Sequence, residues 1–249
     1  YKSSELGFSV GTAFEQYENF YITPRFSTTY ETLTTTSSAS KNYKKQEGSF
    51  FDNYLDYTLD YDNRNKRYKP DEGFRNIFNQ SLPIYSKSNE VTNSFETIKY
   101  NKFSDVVTRV SFYGATINSL TGDDVRVSKR LFIPGSKLRG FENGKVGPKE
   151  KKNYVGGNYI SSLNFSATLP KLLASFQNTD VSFFLDAANL WGVDYDTKLD
   201  DRSTIRSATG LAVDIFTPIG PLNFSYSFPI TKSSSDTTES VRFNLGTTF

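Results

Sequence analysis

Val241-Arg242-Phe243-Asn244-Leu245-Gly246-Thr247-Thr248-Phe249 closes the chain in alternating apolar residues that run into a terminal aromatic. Chain ends in water usually fray and have little reason to hold such a pattern. A strand that pairs along its edges and shows one apolar face to lipid does have a reason. The segment predicts a β-strand whose odd-numbered side chains share a face, and the same period recurs upstream.

Leu6, Phe8, Val10, Thr12 and Phe14 alternate with Gly7, Ser9, Gly11 and Ala13. Phe20, Ile22, Pro24 and Phe26 alternate with Tyr21, Thr23, Arg25 and Ser27, and Leu55, Tyr57, Leu59 and Tyr61 with Asp56, Thr58 and Asp60. Leu163, Phe165, Ala167 and Leu169 alternate with Ser162, Asn164, Ser166 and Thr168. Leu211, Val213 and Ile215, then Leu222, Phe224, Tyr226 and Phe228, repeat the pattern. Less regular strands are expected near 74–84, 91–101, 105–116 and 181–191. About eleven strands result, each near the length of a tilted membrane-spanning strand. Arg25, Asp56, Asp60, Asn164 and Asp214 lie opposite the apolar residues. A wet barrel lumen tolerates charge there, and so does the solvent side of a soluble sandwich, so alternation leaves both architectures open.

Composition narrows the choice. Only 36% of the 249 residues are hydrophobic, yet there are 22 Phe and 16 Tyr against one Trp. No apolar run approaches the roughly 20 residues of a spanning helix. A barrel escapes that test because only alternate residues touch lipid, and its aromatics gather at the interfaces. With no Cys there is no disulfide framework or thiolate nucleophile. With no His the common general base and most zinc sites are gone as well. No enzyme activity, metal or cofactor is expected, and the glycine-rich stretches lack the phosphate-loop pattern. A net charge of +2 gives no case for nucleic acid. Lys145, Lys149, Lys151 and Lys152, set among Gly and Pro, are expected to form a solvated loop. The chain has no Met and no visible signal peptide, and it reads as a piece of a longer protein.

Connections alternate in length. Residues 231–240, 192–205, 117–157 and 32–49 are long, whereas 217–221, 101–105 and 15–19 are short. Outer-membrane barrels have this asymmetry, with long outside loops and short periplasmic turns, which would put Phe249 in the periplasm. The linkers at 62–73 and 170–180 are longer than that rule expects. Connection 117–157 is too long for a passive hairpin, and loops of this size are usually functional or disordered. Its glycines, at Gly135, Gly140, Gly147, Gly156 and Gly157, point to specified turns.

Leu138-Arg139-Gly140-Phe141 resembles the V-R-G-F/Y motif in the inward-folded sixth loop of Omp85-type barrels, with Gly147-Pro148 and Gly156-Gly157-Asn158 following as in the family. Lys69 to Phe74 is similar to the family's P-T-D-G-F hairpin, and Phe183 to Trp191 resembles F-F-x-D-x-G-x-V-W. Ile205-Arg206 to Gly210, Thr217 to Tyr226 and the terminal strand match further family segments in order. The motif matches are concentrated in 131–249, and 1–130 agrees mainly in strand rhythm.

The resemblance implies an all-β, antiparallel transmembrane barrel of about 16 strands preceded by periplasmic POTRA domains. Residues 1–249 would be its C-terminal part, with the inward loop at 117–157 and the N-terminal barrel strands and POTRA domains outside this chain. It further implies that Arg139, with Gly140 and Phe141, anchors the loop in the lumen on Asp186. A second family carboxylate reads Asn164 here, a neutral hydrogen-bonding partner, and family Gly and Ser positions read Ala188 and Ala208. Val241, Phe243, Leu245, Gly246 and Phe249 would form one side of a lateral seam that templates incoming strands. The implied activity is folding and insertion of β-barrel proteins into the Gram-negative outer membrane. The implied partners are unfolded barrel clients, accessory assembly lipoproteins, periplasmic chaperones and membrane lipid. A secretion pore of the same family (two-partner or translocation-module type) is the alternative; a passive porin fits the arginine loop poorly.

Overall fold

The computed structural model describes residues 1–37, 39–169, 178–199, 204–217 and 220–245. Its strands are β1 (Lys2–Gly11), β2 (Phe14–Tyr17), β3 (Phe20–Thr34), β4 (Gly48–Asp62), β5 (Gly73–Tyr85), β6 (Glu90–Phe103) and β7 (Val106–Ser119). After these come β8 (Lys149–Glu150), β9 (Asn153–Tyr154), β10 (Tyr159–Leu169), β11 (Thr179–Trp191), β12 (Arg206–Thr217), β13 (Gly220–Thr231) and β14 (Val241–Leu245). One helix, α1 (Lys41–Lys45), precedes β4, and a 3-10 turn spans Thr197–Leu199.

All but β8 and β9 join one antiparallel sheet in the order β1-β3-β4-β5-β6-β7-β10-β11-β12-β13-β14, with β2 continuing β1 along β3. The order follows the sequence, as a meander of hairpins must, and its eleven positions agree with the alternation. Tight turns fall where Asn19 and Ser104 take left-handed φ values of 64° and 56°. Among the described residues β1 pairs only with β2's neighbour β3, and β14 only with β13, so the sheet is open at both edges.

Strand boundaries differ from the sequence expectation in three places. The first strand breaks at Thr12–Ala13, opposite Thr23–Pro24, because Pro24 has no N–H to give to the ladder. The long connection becomes 120–158 because β7 runs three residues further into it, while β10 begins one residue later than expected. The four-residue turn at 86–89 is short on the side where the other connections are long. The terminal strand is described to Leu245; Gly246 and Phe249 lie outside the described residues, as does part of the expected turn at 217–221.

Period-2 geometry sorts the side chains onto two faces. The outer face carries Leu6, Phe8, Val10, Phe26, Leu55, Phe112, Leu163, Leu185, Leu211, Phe224 and Phe243, all exposed. On a soluble sheet so broad an apolar surface would be an interaction or aggregation surface; against hydrocarbon it is simply solvated. The inner face carries Asp52, Ser111, Ser162, Asn164, Asp186, Ser225 and Ser227, all buried, because the 120–158 loop lies over them. Among the described residues no helix is long and apolar enough to cross a membrane.

Candidate functional site, a loop clamped to the inner face

The 120–158 loop contributes Ile133, Leu138, Phe141 and Val146 to an apolar cluster with Ala115, Ile160, Ala188, Leu190 and Ala208 of the sheet. Small residues on β11 and β12 leave the loop room to come close, and polar side chains then fix its position.

Arg139 meets Asp186 of β11 in a forked contact. Its Nε donates to Oδ2 at 2.7 Å and its Nη2 to Oδ1 at 2.7 Å. The backbone N–H of Arg139 adds a third bond to Oδ2 at 3.1 Å. The carboxylate is fully buried, whereas the arginine side chain keeps 17% of its exposure. The guanidinium also lies over the Phe184 ring, 3.6 Å from its centroid. Planar, bidentate pairing of this kind fixes orientation in a way a lysine cannot. Asn164 of β10 is a neutral hydrogen-bonding partner whose bonds go to the carboxylate and the loop backbone. Its Nδ2 donates to Asp186 Oδ1 at 2.9 Å and to the Lys137 carbonyl at 2.8 Å. An amide there supports the carboxylate and the loop backbone, where a second carboxylate would have added charge opposite Arg139.

Gly140 has φ +86°, and a Cβ on it would lie 3.0 Å from Ala208 Cβ and 3.2 Å from Ser227 Cβ. Both conditions favour glycine. Gly140→Ala is therefore expected to weaken loop docking by about 1–3 kcal/mol through strain and overpacking. Faster protease cleavage within 131–146 is the readout, and an unchanged cleavage rate would show that the contact yields freely. Phe141, 1% exposed, forms a β-bridge with Thr238 of the β13–β14 connection.

Four further basic residues hold the loop, and the alternation pattern did not single them out. Arg126, 1% exposed at its side chain, lies between Glu31 (2.9 Å), Asp52 (2.8 Å) and Glu90 (3.8 Å), from β3, β4 and β6. It packs 4.0 Å from the Phe50 ring centroid. Burial works against its charge, but Glu90, Asp52 and Glu31 together hold its pKa above the ordinary arginine value. Arg130 pairs with Asp194 and donates to Asn158 Oδ1 at 3.0 Å. Lys137 pairs with Glu96 of β6. Arg242 of β14 donates to the Gly135 carbonyl at 2.7 Å and to the Phe141 carbonyl. Nearby, Arg206 and Asp236, both fully buried, tie β12 to the β13–β14 connection at 2.9 Å.

In the lysine cluster Lys145, Lys151 and Lys152 are exposed, as expected of a solvated loop, and Lys149 is half-buried. Lys149 belongs to the β8–β9 hairpin, and its Nζ sits 4.6 Å from the Tyr154 ring centroid, with Lys145 at 6.0 Å. A second apolar cluster, Leu33, Tyr43, Phe50, Val127, Val155 and Val193, joins α1 to this end of the loop. Burial pushes the Tyr43 and Tyr195 phenols up from their ordinary pKa, so both stay neutral there. No described group of three or more acidic side chains is placed to hold a metal ion.

A family model described as the Omp85 superfamily domain matches residues 1–249. Outer membrane protein assembly factor BamA from Neisseria meningitidis serogroup B is 32% identical over 140 residues, covering 45% of this chain and 17% of that protein. The crystal structure of BamA from Haemophilus ducreyi lacking POTRA domains 1-3 superposes with a TM-score of 0.86 at 23% identity. That match covers 98% of this chain and 54% of the solved one, so the fold is shared and the chain spans only part of either relative.

Proposed function

The chain belongs to the Omp85 superfamily, and from that footing we propose that it is the C-terminal barrel portion of an outer-membrane protein assembly factor. Its clients are unfolded outer-membrane β-barrel proteins, and periplasmic chaperones and accessory lipoproteins deliver and support them. It sits in the outer membrane with its C-terminus on the periplasmic side. No covalent step, metal or cofactor enters. The free energy comes from the client's own burial and strand pairing in lipid.

One contrast carries this reading. The loop is held by charged contacts to β3, β4, β6 and β11 and by hydrogen bonds from Arg242 of β14 to its carbonyls, whereas β14 itself pairs, among the described residues, with β13 alone and leaves its other edge open. An interior clamped at several points beside an edge strand with one ladder suits a seam that opens sideways, with the free backbone groups of β14 offered to an incoming strand. Exposed Val241, Phe243 and Leu245 would keep that strand at the lipid boundary.

Depletion of the full-length protein in its host, followed by a count of folded, heat-modifiable barrels, tests the proposal. A broad loss of folded barrels with clients retained in the periplasm is expected. Normal barrels with one secreted product missing would assign the protein to secretion instead.

A further inference from the structure

We infer that Arg242 is a positioning residue that couples the docked state of the inner loop to the placement of β14. The inference rests on the seam reading above and adds what holds the seam strand in place.

Arg242 is an inner-face residue of β14, in register with Ser225 of β13. Its side chain is 11% exposed and all three guanidinium nitrogens are engaged. Nε donates to Glu239 Oε2 at 3.0 Å, Nη1 to the Gly135 carbonyl at 2.7 Å, and Nη2 to the Phe141 carbonyl. The two carbonyls bracket the turn that contains Arg139. One side chain of the edge strand thus grips both ends of the loop segment that Asp186 anchors from β11. Glu239, which steadies the guanidinium, gives its own N–H to the Gly140 carbonyl at 3.1 Å.

The approach to β14 is zipped to the same loop. Glu142 N–H donates to the Thr237 carbonyl at 2.9 Å, and Thr237 N–H to the Lys145 carbonyl at 3.0 Å. Among the described residues β14 has a ladder on one side only, so its inner attachment to the loop is the other contact that holds it. Charge-assisted bonds of this kind are stronger than ordinary backbone pairs. Release of the loop and release of the strand are then one linked equilibrium, and linkage is reciprocal.

Gly135 supplies a specific probe. A Cβ there would lie 2.6 Å from Arg242 Nη1, the far end of a flexible side chain. Gly135→Ala therefore evicts the guanidinium while removing nothing from β14 or its ladder. The test is amide hydrogen exchange on the full-length protein in lipid nanodiscs, for Gly135→Ala, Arg242→Ala and the double variant. Gly135→Ala is expected to raise exchange across 241–245 by roughly tenfold, in line with the loss of bonds to a charged group. Arg242→Ala is expected to raise exchange at 135–141 by a similar factor, and the double variant to add little to either single one. Arg242→Lys, which cannot fork across two carbonyls, should recover only part of the protection.

Exchange changes confined to the loop in Gly135→Ala, or fully additive effects in the double variant, would overturn the coupling. If Arg242→Ala does not insert, Gly135→Ala alone still decides, because the β14 sequence is untouched. Normal exchange coupling in a protein whose depletion leaves barrels intact would sink the assembly reading and spare this inference.

Discussion

Arg139→Ala is expected to free the inner loop and, if the proposed assembly function holds, to remove most of that activity. The substitution strands Asp186, fully buried, with only the Asn164 amide and one backbone N–H for company. Removing one partner of a buried pair costs about 3–5 kcal/mol, because the remaining charge stays out of water without compensation. Here that cost falls on loop docking, so protease sensitivity at 131–146 should rise by about two to three and a half orders of magnitude, the factor that such an energy implies. Arg139→Lys should keep one of the two forked bonds and fall between. Exchanging the charges, Arg139→Asp with Asp186→Arg, should recover only part of the loss. Position 186 must also accept from the Asn164 amide and from the backbone N–H of residue 139, and an arginine there can accept from neither. A loop as resistant in Arg139→Ala as in the unaltered protein would remove the anchoring role outright.

Arg126→Ala should be more damaging still to the fold of the loop, with a less direct effect on the seam. Glu31, Asp52 and Glu90 come from three strands and converge on one guanidinium that is 1% exposed. Without it three carboxylates face one another in a closed space. The expected loss is again about 3–5 kcal/mol or more, seen as a lower heat-modification temperature of the folded protein in detergent. Equal transition temperatures at neutral pH would mean that the cluster is not closed in solution. Arg126→Lys should rescue weakly, because one ammonium cannot reach three acids at once.

The two clamps differ in how plainly the sequence announced them. The sheet is legible because a half-buried strand writes its two faces directly into alternating residues, even where Pro24 and the short 86–89 turn upset the rhythm. Arg139 stood out through its setting, Leu138 before it and Gly140-Phe141 after it, and Asp186 through the Phe183-Phe184-Leu185-Asp186 run. Arg126 gave no comparable signal. Its partners lie 36, 74 and 95 residues away, on strands where any acid reads as an ordinary wet-face residue. The clue that was present is Val125-Arg126-Val127, followed by Arg130: apolar alternation inside a loop, which a solvated segment has no use for. Asn164 stands out in the sequence as a departure from the family pattern, but which of its neighbours it bonds depends on the 2.8 Å approach of the Lys137 carbonyl. Helix α1 is too short to show a period; only Ser40, which caps it by accepting from the Tyr43 N–H, marks its start.

The sheet and its loop are also events on different clocks. Every ladder pairs strands that follow one another in the chain, apart from the detour around the loop between β7 and β10. Hairpins of this kind can form locally and early, since little chain entropy is spent in closing them. The loop's contacts are remote: Arg126 reaches back 95 residues to Glu31, and Arg242 reaches back 107 to Gly135. They can exist only after the strands that carry their partners are side by side. The nascent sheet must therefore pass through a stage with its inner charges wet and its loop undocked. The last act of maturation is the expulsion of water from beneath 120–158, and a protein arrested just before it would show complete strands around an empty interior.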